Sequence, residues 1–406
     1  MDLGNGLGVL SYSTLVHSGD TWAQLKDSLV TFVPQVRKRI CPDGPFGVSL
    51  RLSGAAARQL AGDPAQRAWL RDFLGREGLY VYTVNAFPHG PFKGRRVMEN
   101  VYEPDWSQEE RLRYTVDVAD VLADVTEAGV EPTIQSVPLA FKPNVTGDDY
   151  VAAFTRNVLA AVAHLAEVER RTGRRVKLAL EPEPYCYLET IDETVGYFER
   201  HLYGGDAART VAALAGVPLS EAAGLLRRHL GIVFDICHQA VEFDDIPRSL
   251  DQLADAGIPV FKLQEAAALW VPEVTDEAVA ALERFTDTIY LSQTTELRDG
   301  RLTRFLQLAD AIAAWRRDPG GRREWRTHFH VPVFLDRELA PFRTTRFAVE
   351  QALAAHRRAP VSTHLEIETY TWDVLPDQLK SGDIVDYVTR ELDWVRRELT
   401  GTVAPS

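Results

Sequence analysis

Oxygen-bearing side chains close four apolar runs between residues 177 and 368, namely Glu181, Asp235, Gln264 and Glu368. A charged or amide group at the end of a buried run is unfavourable unless it is paired or bound to a cation. Oxygen donors from four segments that converge on one point make a site for a hard or borderline divalent metal ion. Such an ion can hold adjacent oxygens of a hydroxy-carbonyl substrate and stabilise the enediolate that forms when a carbon-bound proton leaves.

Three histidines extend this candidate metal site. His238 follows Asp235 by three residues, and His328 and His330 occupy alternate positions, which strand geometry places on one face. His330 could replace Gln264 as a metal ligand or join it. Gln264 with three carboxylates favours Mg or Mn, whereas an added imidazole shifts the preference towards Mn, Co or Zn. A satisfied pair of core histidines is the structural alternative.

Further polar residues lie where the mouth of the predicted fold would be. The additional candidates for substrate contact are His17, His89, Lys142, Glu183, His238, Lys262, His328 and Glu366. The lysines would contact an anionic or carbonyl group of the ligand. As structural alternatives, a glutamate at a strand end can cap the next helix, and Glu366 can pair with a buried group. Lys93, Arg95 and Arg96 form either a solvated surface or a lid that contacts phosphate or carboxylate.

The elements that must position these residues alternate between short apolar runs and amphipathic segments. Strands are predicted at 8–12, 47–52, 80–85, 133–137, 177–181, 232–235, 259–264 and 362–368, with a ninth at 327–333. Helices are predicted at 22–40, 64–77, 107–128, 150–170, 190–203, 245–256, 344–357 and 383–399. Asp20 is the predicted N-cap of the first helix. This alternation predicts a (β/α)8 TIM barrel with its active site at the carboxyl ends of the strands.

A bare TIM barrel needs about 250 residues, so a chain of 406 residues must carry insertions. We place them near 87–106, 206–229 and 265–326, within a single domain that spans 1–406. The last insertion is expected to contain a β-hairpin with Asp299 and Gly300 in its turn.

The composition excludes several classes of protein. Asp and Glu number 58 against 45 Lys and Arg, a net charge of −13, which opposes a nucleic-acid partner because a duplex binder needs a basic surface. Cys41, Cys186 and Cys237 make neither a disulfide framework nor a Cys-x-x-Cys metal clamp. We see no secretory signal and no apolar run near the ~20 residues that span a bilayer. We therefore expect a cytoplasmic protein without membrane insertion, and leave a homo-oligomer open.

The spacing of the candidate ligands resembles the metal quartet of the xylose isomerase-like TIM-barrel superfamily. That superfamily contains sugar isomerases and epimerases, hydroxypyruvate isomerase, inosose dehydratase and the endonuclease IV branch. Its pattern is Glu after strand five, Asp-x-x-His at strand six, His or Gln at strand seven and Glu at strand eight, which Glu181, Asp235, His238, Gln264 and Glu368 match. The resemblance implies that Glu181 and Glu368 are the acid and the base, and that His238 contacts a substrate oxygen.

Segments spread over nearly the whole chain resemble a narrower family, the TIM-barrel protein of the Ebo gene cluster, which is called a metabolite traffic protein. The segments are 46–51, 85–92, 180–184, 328–332 and 366–372. This resemblance implies the fold but little chemistry, because the family name describes a cluster phenotype rather than a reaction.

The sequence supports three hypotheses. The first is a metal-dependent isomerase or epimerase that acts on a small polyhydroxylated metabolite, such as a sugar, keto-sugar or cyclitol, with a dehydratase as a close variant. The second is a metabolite-binding or traffic protein on the same barrel without turnover, since a fold does not imply a function. The third, an endonuclease IV-like phosphodiesterase, is disfavoured by the net charge and by too few His and Asp ligands.

Overall fold

Eight parallel strands form a barrel in the computed structural model, which describes residues 1–92, 96–283, 290–369 and 382–401. The strands of these residues are β1 Val9–Tyr12, β2 Phe46–Arg51, β3 Leu79–Asn85, β4 Thr133–Ser136, β5 Lys177–Leu180, β6 Leu230–Asp235, β7 Val260–Glu265, β8 Ala267–Val271, β9 Thr294–Arg298, β10 Arg301–Phe305, β11 Arg323–Val331, β12 Arg343–Thr344 and β13 His364–Ile367. The barrel order is β1-β13-β7-β6-β5-β4-β3-β2, and a parallel bridge between Ser13 and Ser49 joins β1 to β2. The predicted TIM barrel is confirmed, with its eight strands where the apolar runs lie.

Helices cover the outside of the barrel. They are α1 Trp22–Thr31, α2 Val33–Ile40, α3 Gly54–Gly62, α4 Pro64–Arg76, α5 Glu109–Val125, α6 Asp148–Thr172, α7 Ile191–Tyr197, α8 Gly205–Ala215, α9 Leu219–His229, α10 Ile236–Val241, α11 Ile246–Asp255, α12 Asp276–Leu282, α13 Leu308–Arg317, α14 Arg346–Arg358 and α15 Ile384–Thr400. Short 3-10 turns lie at Thr14–Val16, Met98–Tyr102, Lys142–Asn144 and Arg337–Leu339, and a π-helical turn at Phe198–Leu202.

The start of the first helix differs from the prediction. Thr21, not Asp20, is the N-cap, because its hydroxyl accepts from the Gln24 amide at 3.3 Å while the Gln24 side chain accepts from the Thr21 amide at 3.2 Å. This reciprocal pair satisfies two otherwise unpaired donors. The predicted helix 22–40 is also divided at Phe32, where α2 begins with a proline in its first turn.

The largest insertion is a second, antiparallel sheet between β7 and β13, with strand order β10-β9-β11-β8-β12. It extends to Thr344, beyond the predicted limit of 326, and has its own apolar cluster around Leu269, Leu308 and Trp325. The predicted ninth strand is β11 of this sheet rather than part of the barrel. The predicted hairpin is β9 and β10, whose turn residues Asp299 and Gly300 have φ of 51° and 75°, as a type I′ turn requires.

The other predicted insertions fall at α8 and α9 and at the loop that contains the Met98–Tyr102 turn. All three insertions interrupt one barrel. The assignment of the whole chain to a single domain stays a prediction.

Helix α6 is long and apolar enough to cross a membrane by length and composition alone. Its apolar side chains, such as Phe154, Val158, Val162 and Leu165, are buried in the barrel's core cluster. The helix thus covers the barrel in the way that a TIM barrel requires.

Glu391 on α15 provides a pH-dependent contribution to stability. The buried side chain accepts from the Val333 amide at 3.1 Å and from the Thr369 hydroxyl at 2.8 Å, and burial raises its pKa from 4.5 to about 8. A raised carboxyl pKa gives stability that is present below the unfolded pKa and is lost as the pH rises through the folded pKa.

We expect Glu391→Gln to keep the hydrogen bonds from Val333 and Thr369 through its amide oxygen. The substitution should remove the loss of stability that accompanies a rise in pH. The variant should gain stability relative to the parent between about pH 5 and pH 8, by up to about 5 kcal/mol since one pKa unit is about 1.4 kcal/mol. Urea unfolding at the two pH values measures the difference, and the exposed Glu398→Gln on the same helix is the control. A difference between variant and parent that is equal at both pH values would contradict this expectation.

Candidate active site

The four predicted metal ligands meet at the carboxyl end of the barrel. Glu181 follows β5, Asp235 ends β6, Gln264 lies in β7 and Glu368 follows β13, and all four are buried. The Gln264 side-chain nitrogen lies 3.2 Å from Glu181 Oε1 and 3.0 Å from Asp235 Oδ2, and it also donates to Glu368 Oε2. One oxygen of each carboxylate therefore points at the same small volume.

The second oxygen of each glutamate is held by an amide from the other half of the barrel. Gln135 Nε2 in β4 donates to Glu181 Oε2 at 2.6 Å, and Asn85 Nδ2 at the end of β3 donates to Glu368 Oε1 at 2.6 Å. These bonds fix the rotation of both carboxylates, so that Oε1 of Glu181 and Oε2 of Glu368 are the oxygens that face the centre.

Asp235 is oriented by the backbone. Its Oδ1 accepts from the amides of Cys237 at 2.7 Å and His238 at 3.2 Å, and it is the N-cap of α10. Strand β6 therefore runs directly into a helix start that holds the carboxylate, which leaves Oδ2 to face the centre.

Three carboxyl groups lie close together in this buried site. Burial, followed by the charges of Glu368 and Asp235, raises the pKa of Glu181 well above its ordinary value, and burial and Glu366 do the same for the pKa of Glu368. Burial also raises the pKa of Asp235. Three buried carboxylates in contact cannot all be ionised without a compensating positive charge.

The donor set fits a divalent cation. The Gln264 oxygen has no hydrogen-bond partner although it is buried, while its nitrogen stands among three carboxylate oxygens. Exchange of the amide oxygen and nitrogen, which have nearly the same shape, would place four oxygens around one point. Ligand atoms of Glu181, Asp235 and Glu368 lie within 4.8 Å of one another, and an all-oxygen set suits Mg or Mn.

A buried ion pair lies beneath the carboxylate set, deeper in the barrel. Lys262 and Glu366 lie two residues before Gln264 and Glu368 on the same strands, one layer deeper, and Lys262 Nζ is 2.8 Å from Glu366 Oε1. Lys262 also donates to Gln135 Oε1. The lysine thereby orients the amide that holds Glu181, and neither Lys262 nor Glu366 is among the residues that line the cavity.

Three histidines adjoin the carboxylates. His238 follows β6, and the predicted pair His328 and His330 share one face of β11, as their alternation predicts. His330 Nε2 lies 3.0 Å from His328 Nε2 and 3.9 Å from Asp235 Oδ2, and His330 Nδ1 lies 3.9 Å from Glu368 Oε2, so the ring adjoins the carboxylate set. Burial lowers the pKa of all three rings.

Glu183 lies on the other side of the histidines. Its Oε1 accepts from the Tyr102 hydroxyl at 2.8 Å and lies 3.5 Å from Gln293 Nε2. Burial raises the pKa of Glu183 to about 8. Gln293 also accepts from His328 Nδ1 at 2.9 Å, so a residue of the second sheet connects Glu183 to the histidines.

These residues form the floor of a cavity of about 520 Å³ that opens to solvent. The polar floor consists of Asn85, Gln135, Glu181, Glu183, His238, Gln293, His328, His330 and Glu368. The walls are apolar and come largely from the insertions, with Phe92, Val97 and Tyr290 in contact in one cluster. The lining residues that the structure describes include no lysine or arginine.

Three predicted substrate contacts lie away from this cavity. The His17 ring stacks on Phe32 at 4.2 Å with Nε2 3.1 Å from the Tyr12 hydroxyl. Lys142 is ion-paired with Glu189 at 2.6 Å.

His89 packs on Tyr114, with ring centroids 5.0 Å apart, and its Nε2 is 3.7 Å from Glu110. Of the predicted basic stretch, Arg96 lines a pocket that shares Pro88, Val97 and Val101 with the cavity. Lys93 and Arg95 lie outside the described residues.

Sequence reasoning missed Asn85, Gln135, Tyr102 and Gln293. Asn85 and Gln135 could have been found by the signal used for the other strands, since each is a polar residue that ends or interrupts an apolar barrel strand. Tyr102 and Gln293 lie in insertions, where the sequence offers no register to place them.

No family model and no curated protein matches the chain. It is similar in structure to a D-tagatose 3-epimerase-like protein, at 12% identity and a TM-score of 0.48, with 97% of this chain and 98% of that chain covered. A xylose isomerase-like TIM barrel protein from Mycobacterium smegmatis in complex with magnesium matches at 11% identity and 0.47, over 99% of both chains. The IolI protein with a bound zinc atom also matches at 11% and 0.47, over 97% of this chain and 98% of that chain.

The Mycobacterium smegmatis protein carries the name of the xylose isomerase-like superfamily, which the sequence motifs also resemble. At identities near one in nine and TM-scores below 0.5, they support no inference about the reaction of this chain. The narrower resemblance to the Ebo-cluster protein stays a prediction.

Proposed function

We propose that the protein is a metal-dependent isomerase or epimerase that acts on a small polyhydroxylated metabolite, such as a sugar, keto-sugar or cyclitol. The observation that carries the proposal is the arrangement of Glu181, Asp235 and Glu368, each with one oxygen held by a donor and the other aimed at a common point. That point lies at the floor of a cavity that opens to solvent.

Glu181, Asp235, Glu368 and the Gln264 amide would hold the cation, with Mg or Mn preferred by the oxygen donors. When bound, it would polarise a substrate carbonyl and stabilise the negative charge that develops on its oxygen. Glu181 and Glu368 both line the cavity, so either carboxylate can reach a proton on a carbon beside that carbonyl. One removes the proton, and the other returns a proton to the neighbouring carbon or the opposite face.

The walls of the cavity indicate the substrate class. No lysine or arginine is among the described residues that line the cavity. Tyr290 offers a ring to the apolar face of a sugar or cyclitol ring, while Glu183 and His238 offer hydrogen bonds to hydroxyl groups. These features suit a compact polyol.

The test is exchange of carbon-bound hydrogen with solvent. The protein loaded with Mn²⁺ or Mg²⁺ is incubated in D₂O with ketoses, aldoses and keto-cyclitols, and the products are followed by NMR. We expect deuterium at one carbon of at least one compound, with exchange abolished by a chelator and restored by the metal.

A raised Tm with one or more of these compounds, together with no exchange in any of them, would contradict the proposal. It would instead favour a metabolite-binding or traffic protein that uses the same cavity.

A further inference from the structure

One buried arginine holds both ends of the loop that connects β3 to α5. Arg111 lies in the first turn of α5 and is completely buried. Its Nη1 donates to the carbonyls of Ala86 at 2.9 Å and Phe87 at 3.0 Å, where the loop begins. Its Nε donates to the Pro104 carbonyl at 2.7 Å, where the loop ends. A single side chain therefore closes the base of this loop.

A second buried arginine holds the middle of the same loop. Arg51, at the end of β2, donates through Nη2 to the Gly90 carbonyl at 2.7 Å and through Nη1 to the Gly19 carbonyl at 3.1 Å. It also lies 3.6 Å from Asp20 Oδ1, which accepts from the Phe92 amide at 2.9 Å. The loop is thus attached to the barrel at its middle as well as at its ends.

Tyr102 connects this loop to the barrel and to the second sheet. Its side chain is completely buried and lines the cavity. The hydroxyl donates to Glu183 Oε1 at 2.8 Å and accepts from Gln293 Nε2 at 3.0 Å. Pro104 follows Tyr102 by two residues, so the bond from Arg111 to the Pro104 carbonyl fixes the backbone next to this hydroxyl.

The bond to Tyr102 decides which oxygen of Glu183 is left for a ligand. Oε1 accepts from Tyr102 and lies 3.5 Å from Gln293 Nε2. Oε2 has no hydrogen-bond partner among the described residues, and Glu183 lines the cavity. A ligand hydroxyl therefore meets an acceptor whose rotation the tyrosine has already set.

We propose that Arg111 is a positioning residue for the proposed reaction. Through the ends of the loop it places Tyr102, and through the Tyr102 hydroxyl it orients Glu183 so that Oε2 accepts from a substrate hydroxyl. The role of Glu183 as a substrate contact rests on the proposed function, whereas the hold on the loop does not. A guanidinium is required because its two nitrogens reach both ends of the loop at once, which the single nitrogen of lysine cannot do.

The test compares Arg111→Lys and Arg111→Met in the full, metal-free chain without any ligand. Amide hydrogen exchange of peptides from 86–105 reports the loop, since the amides of Asn100 and Glu103 are hydrogen-bonded within it. Protein labelled with ¹³C at the tyrosine Cζ reports the Tyr102 hydroxyl by NMR, and Tyr102→Phe identifies its signal.

The loop amides should exchange about tenfold faster in Arg111→Met, with an intermediate rate in Arg111→Lys, while amides of the barrel strands keep the parental rate. The Tyr102 signal should shift in both variants, and further in Arg111→Met. Arg323→Met removes a buried arginine that pairs with Glu296 in the second sheet. This matched control should change neither the loop amides nor the Tyr102 signal.

The proposed reaction gives a third readout. Arg111→Met should raise KM by about 3- to 10-fold for a compound that exchanges its carbon-bound hydrogen, the effect of one hydrogen bond, with a smaller fall in kcat. A fall in kcat at unchanged KM would contradict the contact assigned to Glu183. A parent that exchanges no compound would contradict the proposed function alone, because the amide-exchange and NMR results need no substrate.

Two ligand-free results would overturn the inference. One is a parental rate of loop exchange in Arg111→Lys, or a Tyr102 signal that keeps its position. The other is faster exchange spread evenly over the chain, which would mean a loss of global stability rather than a local hold on the loop. Should Arg111→Met fail to fold, Arg111→Lys decides alone by the same criteria.

Discussion

Glu368→Gln and Glu181→Gln are each expected to lower the rate of carbon–hydrogen exchange by about 10²- to 10⁴-fold, the usual effect of removing a general acid or base. Gln keeps the size of the side chain, but an amide oxygen that accepts from the Asn85 or Gln135 amide leaves the NH2 group towards the centre. The loss therefore reports the missing proton acceptor more than a change of shape. Solvent deuterium incorporation under saturating metal measures it.

Both glutamates are also candidate metal ligands, so the metal content of each variant must be measured in the same samples. A variant that retains the metal and loses exchange supports the assigned acid and base. Glu391→Gln, which removes a buried carboxyl outside the site, is the matched control and should exchange at the parental rate. If Glu181→Gln or Glu368→Gln exchanges hydrogen at the parental rate, the assignment of that residue is wrong.

Lys262→Met is expected to cause the largest loss of stability, about 3–5 kcal/mol, because it leaves Glu366 as an unpaired charge in the barrel interior. Both side chains of this ion pair are completely buried. Lys262 is also connected to the carboxylate set, because it donates to Gln135, which in turn donates to Glu181. Urea unfolding of the metal-free protein measures the loss.

The double variant Lys262→Met/Glu366→Leu separates a broken ion pair from simple loss of packing. It removes both charges, so it should be more stable than Lys262→Met alone, and the single variant Glu366→Leu completes the cycle that gives the coupling between the two side chains. A Lys262→Met variant within about 1 kcal/mol of the parent, or a double variant that is no better, would contradict the role given to this pair.

The strands and the carboxylates could be predicted because they share one signal. A run of buried apolar residues that ends in Glu181, Asp235 or Glu368 identifies both a parallel strand and a charge that needs a partner. Asn85 and Gln135 are uncharged amides like Gln264, but unlike Gln264 they match no position of the ligand pattern that the sequence resembles. Their role appears only when the opposite strands are placed beside them.

The positions of loop side chains could not be predicted from the sequence, for a physical reason. His17, His89 and Lys142 follow strand ends in sequence, but a loop can turn its side chains away from the cavity. These three side chains contact Tyr12, Glu110 and Glu189 instead. Strand periodicity correctly placed His328 and His330 on one face. It could not show that β11 pairs with β8 and β9 instead of joining the barrel, because a local pattern does not encode the partner strand.

The placement of the cation is tested most directly by anomalous X-ray diffraction from crystals of the protein grown with Mn²⁺. The account predicts a manganese peak at coordination distance from Glu181 Oε1, Asp235 Oδ2 and Glu368 Oε2, with the Gln264 oxygen turned towards the ion. A peak at that centre would establish the carboxylate site on which the proposed reaction depends. Crystals grown in excess Mn²⁺ with no peak there, and with the Gln264 nitrogen still among the three carboxylates, would contradict it.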